Sequence, residues 1–341
     1  MEIPGVSGSL LRGNQHTAVS QDEKASREAW CAEQMREASG QAPWSESGYK
    51  LLALEHKLVA TRGSFLDTYN AMVLLDPNAA APSGSGENKG PAVVQMLLNE
   101  LGHMETCVSV GGGIDELHAT EVLRRHQRLD DMPLDAAERD IRINEMLEAI
   151  QKFAMACSQS GSTVKDVLKP VIDGRLFLVD ERLAAALADD SPAPAPPGRG
   201  VEESKQDRMR RGWCALFQSP WSQLQKYRTY LGGGSTLATH QVVKGSEFPH
   251  VMVVMDDESA GGFLFSYDKI FGGTELGGTD RKNMAAGKET SIDRTLRLLY
   301  VTCSRAEESL ALVLWSSAPE AALRSIRASG WFAEAEVFTI Q

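Results

Sequence analysis

A chain of 341 residues with 42% hydrophobic and 24% charged content has the make-up of an ordinary globular protein with room for a sizeable core. No apolar run is long enough to span a bilayer, and Met1–Gly5 lacks the basic-then-apolar pattern of a signal peptide. The net charge of -11 argues against a protein that coats DNA nonspecifically, because phosphate contacts call for a basic surface, whereas a narrow single-strand track needs only a local one.

In chain order, residues 1–48 are polar, with a helix expected at Glu23–Ala38. Leu51–Leu75 carries apolar residues at helical spacing, with Gly63 as a break, and Asp76–Pro91 has loop composition. A helix is expected over Ala92–Leu101, then a glycine turn at Gly111–Gly113. Asp135 is placed to cap a long helix whose stripe runs from Ile143 through Phe153 to Cys157 and reads as core. Val164–Leu187 reads as helix interrupted at Pro170. Ser191–Gly200 (SPAPAPPGRG) reads as a linker, because proline at this density joins neither a ladder nor a helix interior. Glu202–Tyr230 is a basic, aromatic-rich helical stretch. Its Lys205–Arg211 run with Trp213, Trp221, Tyr227 and Tyr230 is either a stacking surface for DNA or a solvated face over core aromatics. Thr236–Thr239, Val251–Met255 and Leu310–Trp315 then read as short buried strands separated by helices, the pattern of a parallel α/β unit. The expected domains are a lead-in at 1–48, a helical insertion domain at 49–190, a linker at 191–200 and an α/β domain at 201–341.

Two segments carry chemistry. In Thr239-His240-Gln241-Val242-Val243-Lys244-Gly245-Ser246-Glu247-Phe248-Pro249, a strand ends on a hydroxyl residue, a polar turn follows and a second strand leaves. Ligands of open α/β sheets bind at such strand ends, and Gly245 permits close backbone approach. In Asp293–Ala306, an amphipathic helix ends at Ser304-Arg305-Ala306, just before a core strand. An arginine fixed there is placed to reach across a cleft to phosphate, which guanidinium matches bidentately. Plainer readings stand beside these. Arg305 could complement a helix dipole, Lys244 and Glu247 could form a surface ion pair, and His240 and Gln241 could brace the turn.

Together and in this order, the two segments resemble the fifth and sixth motifs of UvrD/Rep-type superfamily 1 DNA helicases, T-x-H-x-x-K-G-x-E-F and R-L-x-Y-V-x-x-T-R-A. The likeness covers roughly the last third of the chain. Leu52–Gly63 resembles a helical insertion segment of one bacterial branch of that family. The resemblance implies an α/β, RecA-like second motor domain with a mostly helical insertion domain. It implies ATP-dependent translocation on single-stranded or forked DNA, with 3′-to-5′ polarity, in repair, recombination or defence. It places Glu247 at the nucleotide sugar, with Lys244 and Gly245 beside it. Arg305 becomes the arginine finger on the γ-phosphate, Thr239, His240 and Gln241 lie along the DNA strand, and Arg297 and Tyr300 hold the arginine helix against the sheet. Two positions depart from the pattern: Gln241 stands at the family's histidine position with His240 one place earlier, and Ser304 replaces threonine.

The sequence contains no G-x-x-x-x-G-K-[ST] loop. Gly287-Lys288-Glu289-Thr290 lacks the earlier glycine and the hydroxyl residue after lysine, and Gly111–Gly113 and Gly232–Gly234 have no lysine in register. Asp256-Asp257-Glu258, after the apolar run Val251–Met255, reads as a strand end with solvated carboxylates in preference to a magnesium site. ATP and its Mg²⁺ are therefore expected to rely on the N-terminal RecA-like half of the same helicase, either missing from a fragment or truncated product or supplied by another chain, and this chain alone is expected to hydrolyse no ATP. The alternative is a non-catalytic interaction module left from a motor. A nuclease partner is compatible with either, and no membrane is expected. Five scattered cysteines (Cys31, Cys107, Cys157, Cys214 and Cys303) without a C-x-x-C pair fit a reducing, cytoplasmic setting without disulfides or structural zinc.

Overall fold

The computed structural model describes residues 2–4, 19–40, 44, 48–82, 90–109, 111–126, 129, 132–198, 202–260 and 265–340. The chain forms two compact units: Met1–Gly63 with Ser235–Gln341, and Ser64–Gly234. The first holds β1 (Glu2–Pro4), α1 (Gln21–Ser39), β2 (Lys50–Ala53) and α2 (His56–Arg62). The second holds α3 (Leu66–Leu75), α4 (Gln95–Leu98), α5 (Glu100–Glu105), α6 (Glu116–Arg125), α7 (Ala136–Ser158), α8 (Val164–Asp173), α9 (Glu181–Ala188), α10 (Lys205–Gln218) and α11 (Trp221–Leu231). The chain then returns to the first unit with β3 (Leu237–Thr239), β4 (Phe248–Asp256), α12 (Asp257–Ala260), α13 (Tyr267–Ile270), α14 (Gly278–Ala285), α15 (Ser291–Cys303), β5 (Ala306–Trp315), α16 (Pro319–Ser329) and β6 (Phe338–Ile340).

The first unit is α/β. Its strands lie in the order β3-β2-β4-β5-β1-β6, and every neighbouring pair is parallel. A parallel sheet is covered on both faces, so its central strands are apolar on both sides, and Val251–Met255 is wholly buried. The two-residue alternation divides β4 between two layers. Val251, Val253 and Met255 join Leu312 and Leu314 in a core with Tyr267, Leu298, Leu299 and Ile326 from α13, α15 and α16. Asp256 and Trp315 face α1, where Lys24 and Glu28 meet them.

The sequence-based boundaries need correction. Lys50–Ala53 is not helical and does not open an insertion domain. It is an interior strand, pairing with β3 on one side and β4 on the other, which satisfies its backbone groups in two ladders. Leu52–Gly63 therefore belongs to the sheet unit, and the helical unit starts at Ser64. The proline-rich segment marks no domain boundary: residues 191–198 lie inside the helical unit, which continues through α10 and α11. Arg199 and Gly200 lie outside the described residues.

In the helical unit, Asp135 caps α7 by accepting from the Glu138 backbone N–H at 3.0 Å. The inward face of α7 is Met146, Ala149, Ile150, Phe153 and Ala154, while Ile143 and Leu147 fall at its exposed margin. Pro170 lies inside α8 without ending it, and that helix stops at Asp173. The expected helix over Glu202–Tyr230 is two helices, separated at Ser219-Pro220. Trp213, Trp221, Tyr227 and Tyr230 are buried, so these aromatics are core and offer no stacking platform.

Candidate functional site

The register of the sheet separates the two ends of the first motif. Thr239 is level with Ala53, and Ala53 with Val254. Phe248 begins β4 six positions before Val254, about 20 Å of strand at 3.3 Å per residue. Residues 240–247 therefore run from the carboxyl edge of the sheet back to its amino edge. The first motif does not gather at one sheet edge as its sequence suggests. Thr239, His240 and Gln241 belong to one edge; Glu247 and Arg305 belong to the other.

At the amino edge, α15 starts with a capping box in which Thr290 and Asp293 satisfy each other's backbone N–H groups. Leu298 and Leu299 anchor the helix in the core. Arg305 follows directly and precedes β5. Its Nε donates to the Val301 carbonyl at 3.0 Å, Nη1 to the Ser246 carbonyl at 2.9 Å and Nη2 to Ser304 Oγ at 3.0 Å. The Arg305 carbonyl accepts from the Phe248 backbone N–H at 2.8 Å. Glu247 is thus held between two residues that both bond Arg305. The bond to Val301 is the ordinary service of an arginine to a helix end; the bond to Ser246 is not, because it crosses to another segment. A guanidinium has five N–H donors, so the three bonds leave two for a ligand. Lys244, Gly245, Ser246 and Glu247 are exposed, and Gly245 takes φ +84°, which a side chain would disfavour.

Arg297 and Tyr300 do not hold the helix to the sheet. Tyr300 is 75% exposed, and Arg297 pairs with Glu289 at the surface. Both project from the side of α15 opposite its leucines. Cys303, beside the motif, is held largely protonated, since burial pushes its thiol up to about 11.

At the carboxyl edge, the expectation that Thr239 and His240 lie along a DNA strand needs correction. Both are buried. His240 Nε2 lies 3.1 Å from the Leu52 carbonyl and Nδ1 lies 3.0 Å from the Tyr267 hydroxyl, while its backbone N–H donates to the Ala53 carbonyl. The imidazole joins β2, β3 and α13 and has no surface for a ligand. Gln241 is exposed at this edge. Polarity alone is the misleading signal: a histidine at a strand end reads as available until both ring nitrogens are accounted for.

Burial lowers the His240 pKa to about 4, below the ordinary 6.5. The unfolded chain therefore takes up a proton between about pH 6.5 and 4 that the folded chain refuses. Stability from this group is present above pH 6.5 and is lost as pH falls toward 4, by about 3 kcal/mol at 1.36 kcal/mol per pH unit. His56, lowered to about 4 by burial, acts in the same direction. Urea unfolding of the wild type at pH 7 and pH 4.5 should show this loss, with a smaller loss in His240→Phe. An unchanged pH dependence in the variant contradicts it.

The carboxylates at the end of β4 and just beyond it are not the solvated strand end expected from sequence. Asp256 is buried and paired with Lys24 at 2.9 Å. Asp257 accepts from Ser266 Oγ and from the backbone N–H groups of Tyr267 and Asp268, and burial raises its pKa. Glu258 alone of the three stays exposed. With Asp256 and Asp257 committed to these partners, they do not fit a Mg²⁺ site, and no group of three candidate metal ligands occurs among the described residues. No helix among the described residues is long and apolar enough to cross a membrane.

No protein-family model and no curated protein sequence matches this chain.

Proposed function

We propose that the sheet unit is the second RecA-like wall of a UvrD/Rep-type motor, with ATP bound between its amino edge and a phosphate-cradling half supplied by another polypeptide segment. The observation that carries the reading is the Arg305 bridge to the Ser246 carbonyl, which joins the two motifs on which the family resemblance rests. In this reading the two remaining Arg305 donors meet the γ-phosphate and Glu247 meets the ribose. Lys244 and Gly245 border the nucleotide. Mg²⁺ would be held by the other half, where it would neutralise phosphate charge. The carboxyl edge serves single-stranded DNA through Gln241, with His240 as its internal brace. Residues 240–247 then link the DNA edge mechanically to the nucleotide edge, because His240 is anchored at one end and Ser246 at the other.

A non-catalytic interaction module is the second reading, favoured by the three Arg305 bonds already made within the chain. Sedimentation separates the two. The motor reading expects this chain to associate with a UvrD/Rep-type N-terminal half more tightly in a non-hydrolysable ATP analogue than without nucleotide. Association indifferent to nucleotide, or none, supports the second reading.

A further inference from the structure

One ladder of the sheet is short. β1 lies between β5 and β6 and is parallel to both. Its Glu2 is level with Val313, and Ile3 and Pro4 continue from there toward the carboxyl edge. Among the described residues, no strand pairs with that edge of β5 over Leu310–Leu312. Beside this stretch lies a cleft of about 360 Å³. Leu310–Val313 form one wall, Phe332 and Phe338 the other, and α1 contributes Cys31 and Met35. Strands two places apart in a sheet lie about 9.6 Å from each other, so the gap between β5 and β6 is one strand wide. Ala311 and Leu312 are buried, and buried backbone N–H and C=O groups require partners.

We propose that this cleft takes an extended, apolar strand of the phosphate-cradling half, parallel to β5 and ending against the amino end of β1. An open strand edge is met residue by residue by another strand, whose main-chain bonds give affinity and whose alternate side chains give specificity. The two layers of the sheet set those side chains. Leu310 and Leu312 belong to the layer that Phe332 packs against, whereas Ala311, two places from Trp315, faces α1. The incoming strand is therefore apolar at successive positions, as an interior parallel strand is. Its source follows from direction. β1 fills the carboxyl side of this strand position, so the cleft opens toward the amino edge, where Glu247 and Arg305 lie. The inference rests on the motor reading, which sets the other half against that edge. Nucleic acid does not fit, because no cation lines the cleft and Glu336 does.

The test is amide hydrogen exchange of the full chain, read by mass spectrometry on the fragment spanning Leu310–Val313. It is measured alone and with a UvrD/Rep-type N-terminal half, and sedimentation reports whether the two associate. Exchange of that fragment should slow about tenfold or more in the mixture. Ala38→Trp fills the cleft from an exposed position on α1 and should abolish the slowing. A far-ultraviolet spectrum and an unfolding midpoint establish that the variant is folded. If it is not, Phe338→Asp, at a residue 52% exposed, gives the same reading. An unchanged fragment in a mixture that does associate overturns the strand proposal and leaves the motor reading standing. So does slowing that persists in the filled variant. A mixture that associates under no nucleotide condition overturns both. Slowing in the chain alone that grows with its concentration assigns the cleft to a second copy and overturns the proposal.

Discussion

Lys24→Met should destabilise the sheet unit by about 3–5 kcal/mol, the usual cost of removing one partner from a buried ion pair. Lys24 and Asp256 have side-chain exposures of 2% and 0%. The ammonium donates to both Asp256 oxygens, at 3.0 and 2.9 Å, and to Ser259 Oγ at 3.1 Å, and lies 5.3 Å from the Trp315 ring centroid. Taking it away leaves a carboxylate at the end of the central strand with only the Ser259 backbone N–H still bonded to it among these contacts. The loss comes from that stranded charge more than from any net worth of the pair. Lys24→Met/Asp256→Leu should therefore recover most of the stability that Lys24→Met loses. Urea unfolding at pH 7 checks both, read from the midpoint at unchanged slope. A loss under about 1 kcal/mol in the single variant would mean that water reaches Asp256.

Arg305→Ala should lower ATP turnover by about 10³-fold in a motor assembled from this chain and an N-terminal RecA-like half, the lower range for loss of an arginine finger. In the motor reading the two remaining N–H donors of Arg305 would act on charge that grows during phosphoryl transfer, so the effect should fall on kcat far more than on KM. Arg305→Lys should rescue little, because an ammonium cannot keep the Ser246 and Val301 bonds and still present a fork to phosphate. Glu247→Ala should raise KM with a smaller effect on kcat, as expected for a contact to the sugar. A plain structural role would look different: Arg305→Ala would lower the unfolding midpoint and leave kcat of the folded fraction unchanged.

Much of this arrangement is legible in the sequence because it depends on local pattern. Val251–Met255 reads as a buried strand and is one, because a central parallel strand must be apolar on both faces. The helix before Arg305 reads correctly because its apolar residues Leu298, Leu299 and Val301 recur at helical spacing within one turn. Leu51–Ala53 reads as helix because so short a run cannot distinguish a strand from a helical turn, and α2 follows after only Leu54 and Glu55. The domain division is hidden for a related reason. Residues that form one unit lie on both sides of Ser64–Gly234, and sequence composition reports neighbours along the chain, not across a sheet. The proline-rich segment looks like a boundary because proline reveals the absence of regular structure and nothing about which unit carries it. His240 and Asp256 look available because polarity does not disclose a partner; Leu52, Tyr267 and Lys24 become visible as partners only in three dimensions. Arg305 is recognisable from its place between a helix and a strand, but its bond to Ser246 spans 59 positions and no local pattern encodes it.

The most direct measurement is steady ATP turnover by this chain alone, by a UvrD/Rep-type N-terminal half alone, and by the two together, each with and without single-stranded DNA. Turnover stimulated by DNA only in the mixture is the expected result. Turnover by the isolated chain, or a mixture no faster than the N-terminal half by itself, contradicts a shared nucleotide site at Glu247 and Arg305.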